Sequence, residues 1–190
     1  MKQVVIYVPG ITDDVLRVQS TALLFWRLYG VYARCHPIPW AGNEAFAPKF
    51  ERLLVDIDNQ LAKGNKVSLV GASAGASAVL LAYAQRKDRL NRVAYICAKI
   101  NRPETVSDKT YGENPAFKDA LQHLQKLLPK LTDEDKAKLF SIYSPIDGTV
   151  SYQDTVIPGV AQKALPRLRH GWAIVYSITL GARRLINTLR

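Results

Sequence analysis

Residues 71–75 read Gly-Ala-Ser-Ala-Gly, a serine flanked by glycines at G-x-S-x-G spacing. A strand-like run, 67–70, comes before it, and a helix-forming run, 76–81, follows. Strand, motif and helix in that order make a sharp turn that projects the Ser73 hydroxyl above the end of a sheet. Glycines two residues before and after the serine remove side chains that would clash in such a turn. Ala72, Ala74 and Ala76 are small enough for the helix to approach the strand closely. The helix start turns backbone N–H groups and the positive end of its dipole toward the reacting centre. The N–H of Ala74 is the natural first donor to an oxyanion there. Alone, the pattern also fits a plain glycine-rich turn or a phosphate-binding turn. No Lys-Ser/Thr pair follows Gly75, which excludes the Walker arrangement.

A serine nucleophile needs a base within hydrogen-bond reach and an acid to orient that base. The chain has three histidines. His36 ends the second strand-like run, and His123 sits inside a helical run. His170 lies in Leu168-Arg169-His170-Gly171-Trp172, a loop directly before the last helical run. In the order Ser, acid, His, the base is therefore His170. Asp147 follows the strand-like run 139–144 and precedes Gly148. An Asp-Gly pair is a common plain turn, so its position after a strand is what singles it out. Asp154 is its rival, but it follows Tyr152-Gln153 and reads as the start of a helix, where a carboxylate suits the dipole. Pro9-Gly10-Ile11 closes the first strand-like run. It is either a strand-ending turn or the place where the backbone nears Ser73 and the Ile11 N–H supplies a second oxyanion donor.

The elements that must hold these residues alternate along the chain. Strand-like runs cover 2–8, 31–38, 66–70, 92–98 and 139–144, with a short sixth near 160–164. Helical runs cover 15–29, 48–63, 74–86 and 171–189. In the second, Phe50, Leu53, Leu54, Ile57 and Leu61 share one face, and Gly64 stops it. The alternation predicts a single α/β domain over 1–190, with a mostly parallel sheet of about five or six strands and helices on both faces. Ligands of such sheets bind beyond the carboxyl ends of the strands. Segment 99–138 interrupts the pattern with a polar loop, a helix from Asn114-Pro115 whose apolar face is Phe117, Leu121, Leu124 and Leu128, and a short helix after Thr132. It is a candidate partial cap. Ile11, Trp40, Phe46, Ile100 and Trp172 suggest an apolar acyl pocket, with Gly10, Trp40 and Trp172 as candidate substrate contacts. Trp40 and Trp172 fit a core equally well.

Composition sets the outer limits. With 190 residues, 48% hydrophobic and 22% charged, the chain suits one globular domain. Its two cysteines, Cys35 and Cys97, lie in apolar strand-like runs and read as buried free thiols. Together with the histidines they show no metal-ligand spacing. The net charge of +10 fits a solvated basic surface, with weak attraction to anionic surfaces. The basic residues are spread along the chain without a zinc finger or basic zipper, so no nucleic-acid partner is expected. The apolar stretch 171–182 falls short of the roughly 20 residues that span a bilayer. The N-terminus lacks a signal-peptide pattern, so a cytoplasmic location is expected.

Taken together, these segments resemble the α/β-hydrolase superfamily, above all its minimal, lid-poor lipase and esterase members. Residues 4–11 resemble its oxyanion turn, 67–80 its nucleophile elbow, 142–150 its acid loop with Asp147 and Val150 as Asp-x-x-Val, and 168–172 its histidine loop. The chain departs from the family in reading Pro9-Gly10 where His-Gly is frequent, and in carrying Ala72 where His, Tyr or Trp is frequent. The family's first antiparallel strands also have no counterpart. The resemblance implies cleavage of a small carboxylic ester or thioester through an acyl-enzyme on Ser73, with His170 as base, Asp147 as orienting acid and no cofactor. Acyl transfer by the same residues, or a non-catalytic binding scaffold, are the alternatives; the oligomeric state is not specified.

Overall fold

The computed structural model describes residues 1–11 and 16–190. Six strands, β1 (Gln3–Val8), β2 (Val31–Cys35), β3 (Lys66–Ala72), β4 (Val93–Ile96), β5 (Leu139–Tyr143) and β6 (Ala161–Ala164), form one sheet in the order β2-β1-β3-β4-β5-β6. Every adjacent pair is parallel. The helices are α1 (Leu16–Leu24), α2 (Phe46–Ala62), α3 (Gly75–Arg86), α4 (Asp108–Glu113), α5 (Pro115–Leu127), α6 (Asp133–Ala137), α7 (Tyr152–Thr155), α8 (His170–Ile178) and α9 (Ala182–Thr188).

Alternate residues of a strand face opposite sides, and here both sides are covered. Ile6, Val8, Val67 and Leu69 pack into a core with α2, α3 and α5. Val5, Tyr7, Val70 and Ala72 pack into a second core with α1, α8 and α9. Burial on both faces explains why β1 and β3 read as unbroken apolar runs. The Trp26 indole N–H donates to the Ile178 carbonyl at 2.9 Å and ties the turn after α1 to the C-terminal helices.

Several elements differ from the sequence expectation. The helix expected over 15–29 is α1 followed by a 3-10 turn, Phe25–Tyr29, ended by Gly30 at φ 74°; residue 15 lies outside the described residues. The second strand stops at Cys35, just short of Pro37, which has no N–H for the ladder. The second helix begins earlier, at Phe46, because Pro48 is tolerated in a first turn whose N–H groups have no helical partner. The helix expected over 171–189 starts at His170 and breaks into α8 and α9. The N–H groups of Thr179 and Gly181 both return to the Tyr176 carbonyl there, and a Cβ on Gly181 would lie 3.0 Å from that oxygen. In segment 99–138, Phe117, Ala120, Leu121 and Leu124 of α5 are buried in the core against α2 and α3. From this segment Lys99, Thr105, Val106, Ser107, Thr110 and, on α5, Phe117 reach the cavity at the sheet end. No described helix is long and apolar enough to cross a membrane.

The turn after β3 is packed backbone against backbone. A Cβ on Gly75 would lie 2.2 Å from the Val8 carbonyl oxygen, and one on Gly71 would lie 2.6 Å from the Ala76 Cα. Neither obstacle is a flexible side chain. Gly75→Ala is therefore expected to destabilise the fold by about 3 kcal/mol or more. Gly112→Ala, in open space within α4, should be neutral or stabilising by up to about 1 kcal/mol. Urea denaturation of both variants checks the pair; equal stabilities would show that the close approach is not rigid.

Candidate active site

Ser73 sits between β3 and α3 at φ 51°, a left-handed conformation that is uncommon for a residue with a side chain. Its N–H donates to the Ile96 carbonyl at 2.9 Å, so the β4 end holds the turn. The start of α3 leaves the Ala74 and Gly75 N–H groups ahead of the first internal bonds, which run from Ala76 to Ser73 and from Ser77 to Ala74. Gly10, after β1, closes the other side. A Cβ there would lie 2.9 Å from the Ser73 Cβ and 3.5 Å from its Oγ, so only glycine lets that backbone come so near. Ile11 and Ala74 line the same cavity as Ser73.

The Ser73 Oγ lies 3.1 Å from His170 Nε2. His170 opens α8, and its backbone N–H donates to the Asp147 carbonyl at 3.0 Å. Its Nδ1 lies 2.9 and 2.8 Å from the two Asp147 carboxylate oxygens. Asp147 is buried in the loop after β5, where its Oδ1 also accepts the N–H groups of Thr149 at 3.0 Å and Val150 at 2.7 Å. Burial pushes the Asp147 carboxyl up, but hydrogen bonds from His170, Val150 and the Cys97 thiol, with the His170 charge, outweigh it and hold the carboxyl below its usual range. An ionised carboxylate only accepts. In the neutral imidazole the proton therefore resides on Nδ1, and Nε2 is left to accept from the Ser73 O–H.

The remaining sequence candidates lie elsewhere. His36 pairs with Asp56 at 3.0 Å, and His123, on α5, bonds the Asp119 carbonyl. Asp154 is not at the histidine. Its Oδ1 accepts Lys99 Nζ at 2.7 Å and Arg102 Nε at 2.9 Å, while its Oδ2 accepts the Ser151 N–H and hydroxyl at 3.1 and 2.9 Å, capping α7. Trp40 is 2% exposed, stacked on Phe46 and edge-on to Phe117 in the core, and does not line the cavity at Ser73. Trp172 is 71% exposed and does not line it either. Phe46 and Ile100 are core residues. The expected apolar pocket is thus not built by these side chains. The cavity measures about 190 Å³, and beside Ile11, Val106 and Phe117 it carries the hydroxyls of Thr105, Ser107, Thr110 and Thr149 and the Lys99 side chain.

Two residues near the site carried no sequence signal. Cys97 follows β4 at φ 47° and is buried, and its burial together with the nearby Asp147 charge pushes its thiol up. A buried thiol at a strand end looks the same in sequence whether it packs in the core or lies beside a carboxylate. Cys97, Asp147 and His170 have ligand atoms within 4.8 Å of one another. The Asp147 carboxylate is already engaged by His170, Thr149 and Val150, so hydrogen bonds satisfy this group without an ion. Lys99 was the other residue missed, since its partner Asp154 is 55 positions away.

Asp154 has a measurable consequence. Burial would raise its carboxyl, but hydrogen bonds from Arg102, Lys99 and Ser151 outweigh that and hold it down to about 2. The folded value lies below the unfolded one of about 3.9. Its stabilisation, about 2 kcal/mol, is therefore present above pH 4 and lost as pH falls toward 2. Asp58, Asp135 and Asp147 are lowered as well and act in the same direction. Thermal melts from pH 6 to pH 2 should show Asp154→Asn with a shallower acid loss than the parent chain. Parallel curves would mean the ion cluster does not stabilise the fold.

No protein-family model matches the chain, and no curated protein matches it in sequence. Its structure is similar to solved ones. An α/β-hydrolase enzyme, MGS-MChE2, from a lagoon-sediment metagenome aligns with TM-score 0.71 at 12% identity, over 98% of this chain and 90% of that one. Est1E from Butyrivibrio proteoclasticus aligns with TM-score 0.65 at 12% identity, over 98% and 89%. A soluble variant of monoglyceride lipase from Saccharomyces cerevisiae, solved with a substrate analog, aligns with TM-score 0.65 at 14% identity, over 100% and 88%. The chain has the α/β-hydrolase fold.

Proposed function

We propose that this chain is a serine hydrolase that cleaves a small carboxylic ester or thioester through an acyl-enzyme on Ser73. The observation that carries the reading is the unbroken line from Ser73 Oγ to His170 Nε2, 3.1 Å, and from His170 Nδ1 to Asp147, 2.8 Å, at the carboxyl end of a parallel sheet. The neighbours' names point the same way, a monoglyceride lipase and a structure of Est1E with ferulic acid bound among them.

In this reading His170 Nε2 takes the hydroxyl proton as Ser73 Oγ bonds to the acyl carbon, and Asp147 stabilises the imidazolium that forms. The carbonyl oxygen becomes an oxyanion held by the N–H groups of Ala74 and Ile11, with Gly10 giving the room. The tetrahedral centre collapses, the alcohol or thiol leaves with the proton from Nε2, and water repeats the sequence to release the acid. No step calls for a cofactor or metal. Both cysteines are free thiols, which suits a reducing compartment such as the cytoplasm.

An alkyl fluorophosphonate tests this reading. It is expected to label the chain stoichiometrically, and excess p-nitrophenyl acetate should slow the labelling. A folded chain that takes up no label is a binding scaffold, and the enzymatic reading fails.

A further inference from the structure

The cavity above Ser73 and the cleft beside it bring two cationic side chains, Lys99 and Arg102, to one carboxylate. Lys99 follows β4, is only 7% exposed, and points its ammonium at Asp154 Oδ1 and the Thr105 hydroxyl. Arg102 brings a second cation to the same carboxylate oxygen at 2.9 Å. One ammonium would neutralise Asp154, whose other oxygen is already satisfied by Ser151. Lys99, Arg102 and Asp154 taken together carry one net positive charge. The ionised Asp147 lines the other end of the same cleft, where its oxygens accept from His170, Thr149 and Val150, and Glu104, on the turn that carries Thr105, is exposed.

The position of this charge gives it a meaning. Lys99 and Asp154 line the 190 Å³ cavity together with Ser73. Arg102 lines an adjoining, wider cleft of about 540 Å³ that shares Thr105, Thr149, Val150 and Asp154 with that cavity. A molecule with its carbonyl at Ser73 and its other end toward the cleft therefore meets the cations and the threonine hydroxyls. A long alkyl chain would have to desolvate these groups without pairing them, which is unfavourable. A carboxylate would accept from them with charge-assisted hydrogen bonds. The net charge of +10 also favours approach of anions.

We propose that Lys99 and Arg102 form an anion subsite beside Ser73, and that the substrate is a short ester bearing a carboxylate at its far end. This rests on the serine-hydrolase reading for the reaction, but not for the binding. The small cavity limits the spacer to a few carbons.

The test uses Ser73→Ala, which binds esters without consuming them. Dissociation constants for monomethyl glutarate and for dimethyl glutarate, measured by NMR titration at low salt, compare an anionic and a neutral ester of one chain length. The monoester is expected to bind about tenfold tighter, with the advantage shrinking as salt rises. Adding Arg102→Gln, at a half-exposed side chain, should cut that ratio at least about threefold and leave diester binding unchanged. Lys99→Met should cut it further; if that variant does not fold, Arg102→Gln decides alone. Equal affinity for the two esters, no binding of either, or a ratio that Arg102→Gln does not alter overturns the subsite. Fluorophosphonate labelling of the parent chain separates the two ideas. A labelled chain without charge preference loses only the subsite, and a charge-selective chain without label loses only the hydrolase.

Discussion

Ser73→Ala is expected to lower turnover of p-nitrophenyl acetate by about 10³-fold or more while leaving the fold intact. The substitution removes one oxygen, and the bond it breaks is the 3.1 Å contact to His170 Nε2. The backbone at φ 51° is retained by the Ser73 N–H bond to Ile96 and by the close packing at Gly71 and Gly75, none of which involves the hydroxyl. In the proposed mechanism, the residual rate would come from the N–H groups of Ala74 and Ile11 acting on water attack. Circular dichroism and a denaturation midpoint close to that of the parent chain would confine the loss to chemistry. A folded Ser73→Ala chain that still turns the ester over within a few-fold of the parent would remove Ser73 from the role of nucleophile.

Asp147→Asn should be nearly as damaging, by up to about 10⁴-fold, for a reason specific to the hydrogen bonds around it. The amide oxygen can keep the N–H groups of Thr149 and Val150, which both reach Oδ1. The amide nitrogen then faces His170 Nδ1 as a donor. That stabilises the tautomer with the proton on Nε2, which cannot accept from Ser73. The orientation survives and the basicity is lost. Asp154→Asn has a different signature, because its losses are the ion pairs to Lys99 and Arg102 and the cap of α7. Its melting temperature should fall, while the folded fraction keeps at least about a hundredfold more activity than Asp147→Asn. The reverse ranking, with Asp147→Asn active and folded Asp154→Asn inactive, would assign the orienting acid to Asp154.

What could be read in the sequence is what short-range sterics dictate. The turn at 71–75 shows itself because Gly71 and Gly75 stand where any Cβ would meet backbone. Alternating strand and helix runs foretold the parallel sheet because apolar burial on both faces writes itself along the central strands β1, β3 and β4. Asp147 and His170 were placed by their positions after a strand and before the last helix, although they lie 23 residues apart and His170 lies 97 from Ser73. The cavity lining was not legible. Trp40 follows a strand just as a substrate contact would, yet its ring faces Phe46 and Phe117 in the core. The apolar stripe of α5 looks alike on a cap and on a buried helix. The cluster of Lys99, Arg102 and Asp154 joins positions more than 50 residues apart and leaves no local pattern.

The most direct measurement is the chemical trapping of the acyl-enzyme. The parent chain is mixed with p-nitrophenyl acetate, quenched in acid within the first turnovers, digested and analysed by mass spectrometry. One acetyl group on the Ser73 side chain, absent from Ser73→Ala and accumulating no faster than nitrophenol is released, is the expected result. Ester cleavage with no acetyl group on Ser73, or with the acetyl group on another residue, would contradict covalent catalysis by this serine.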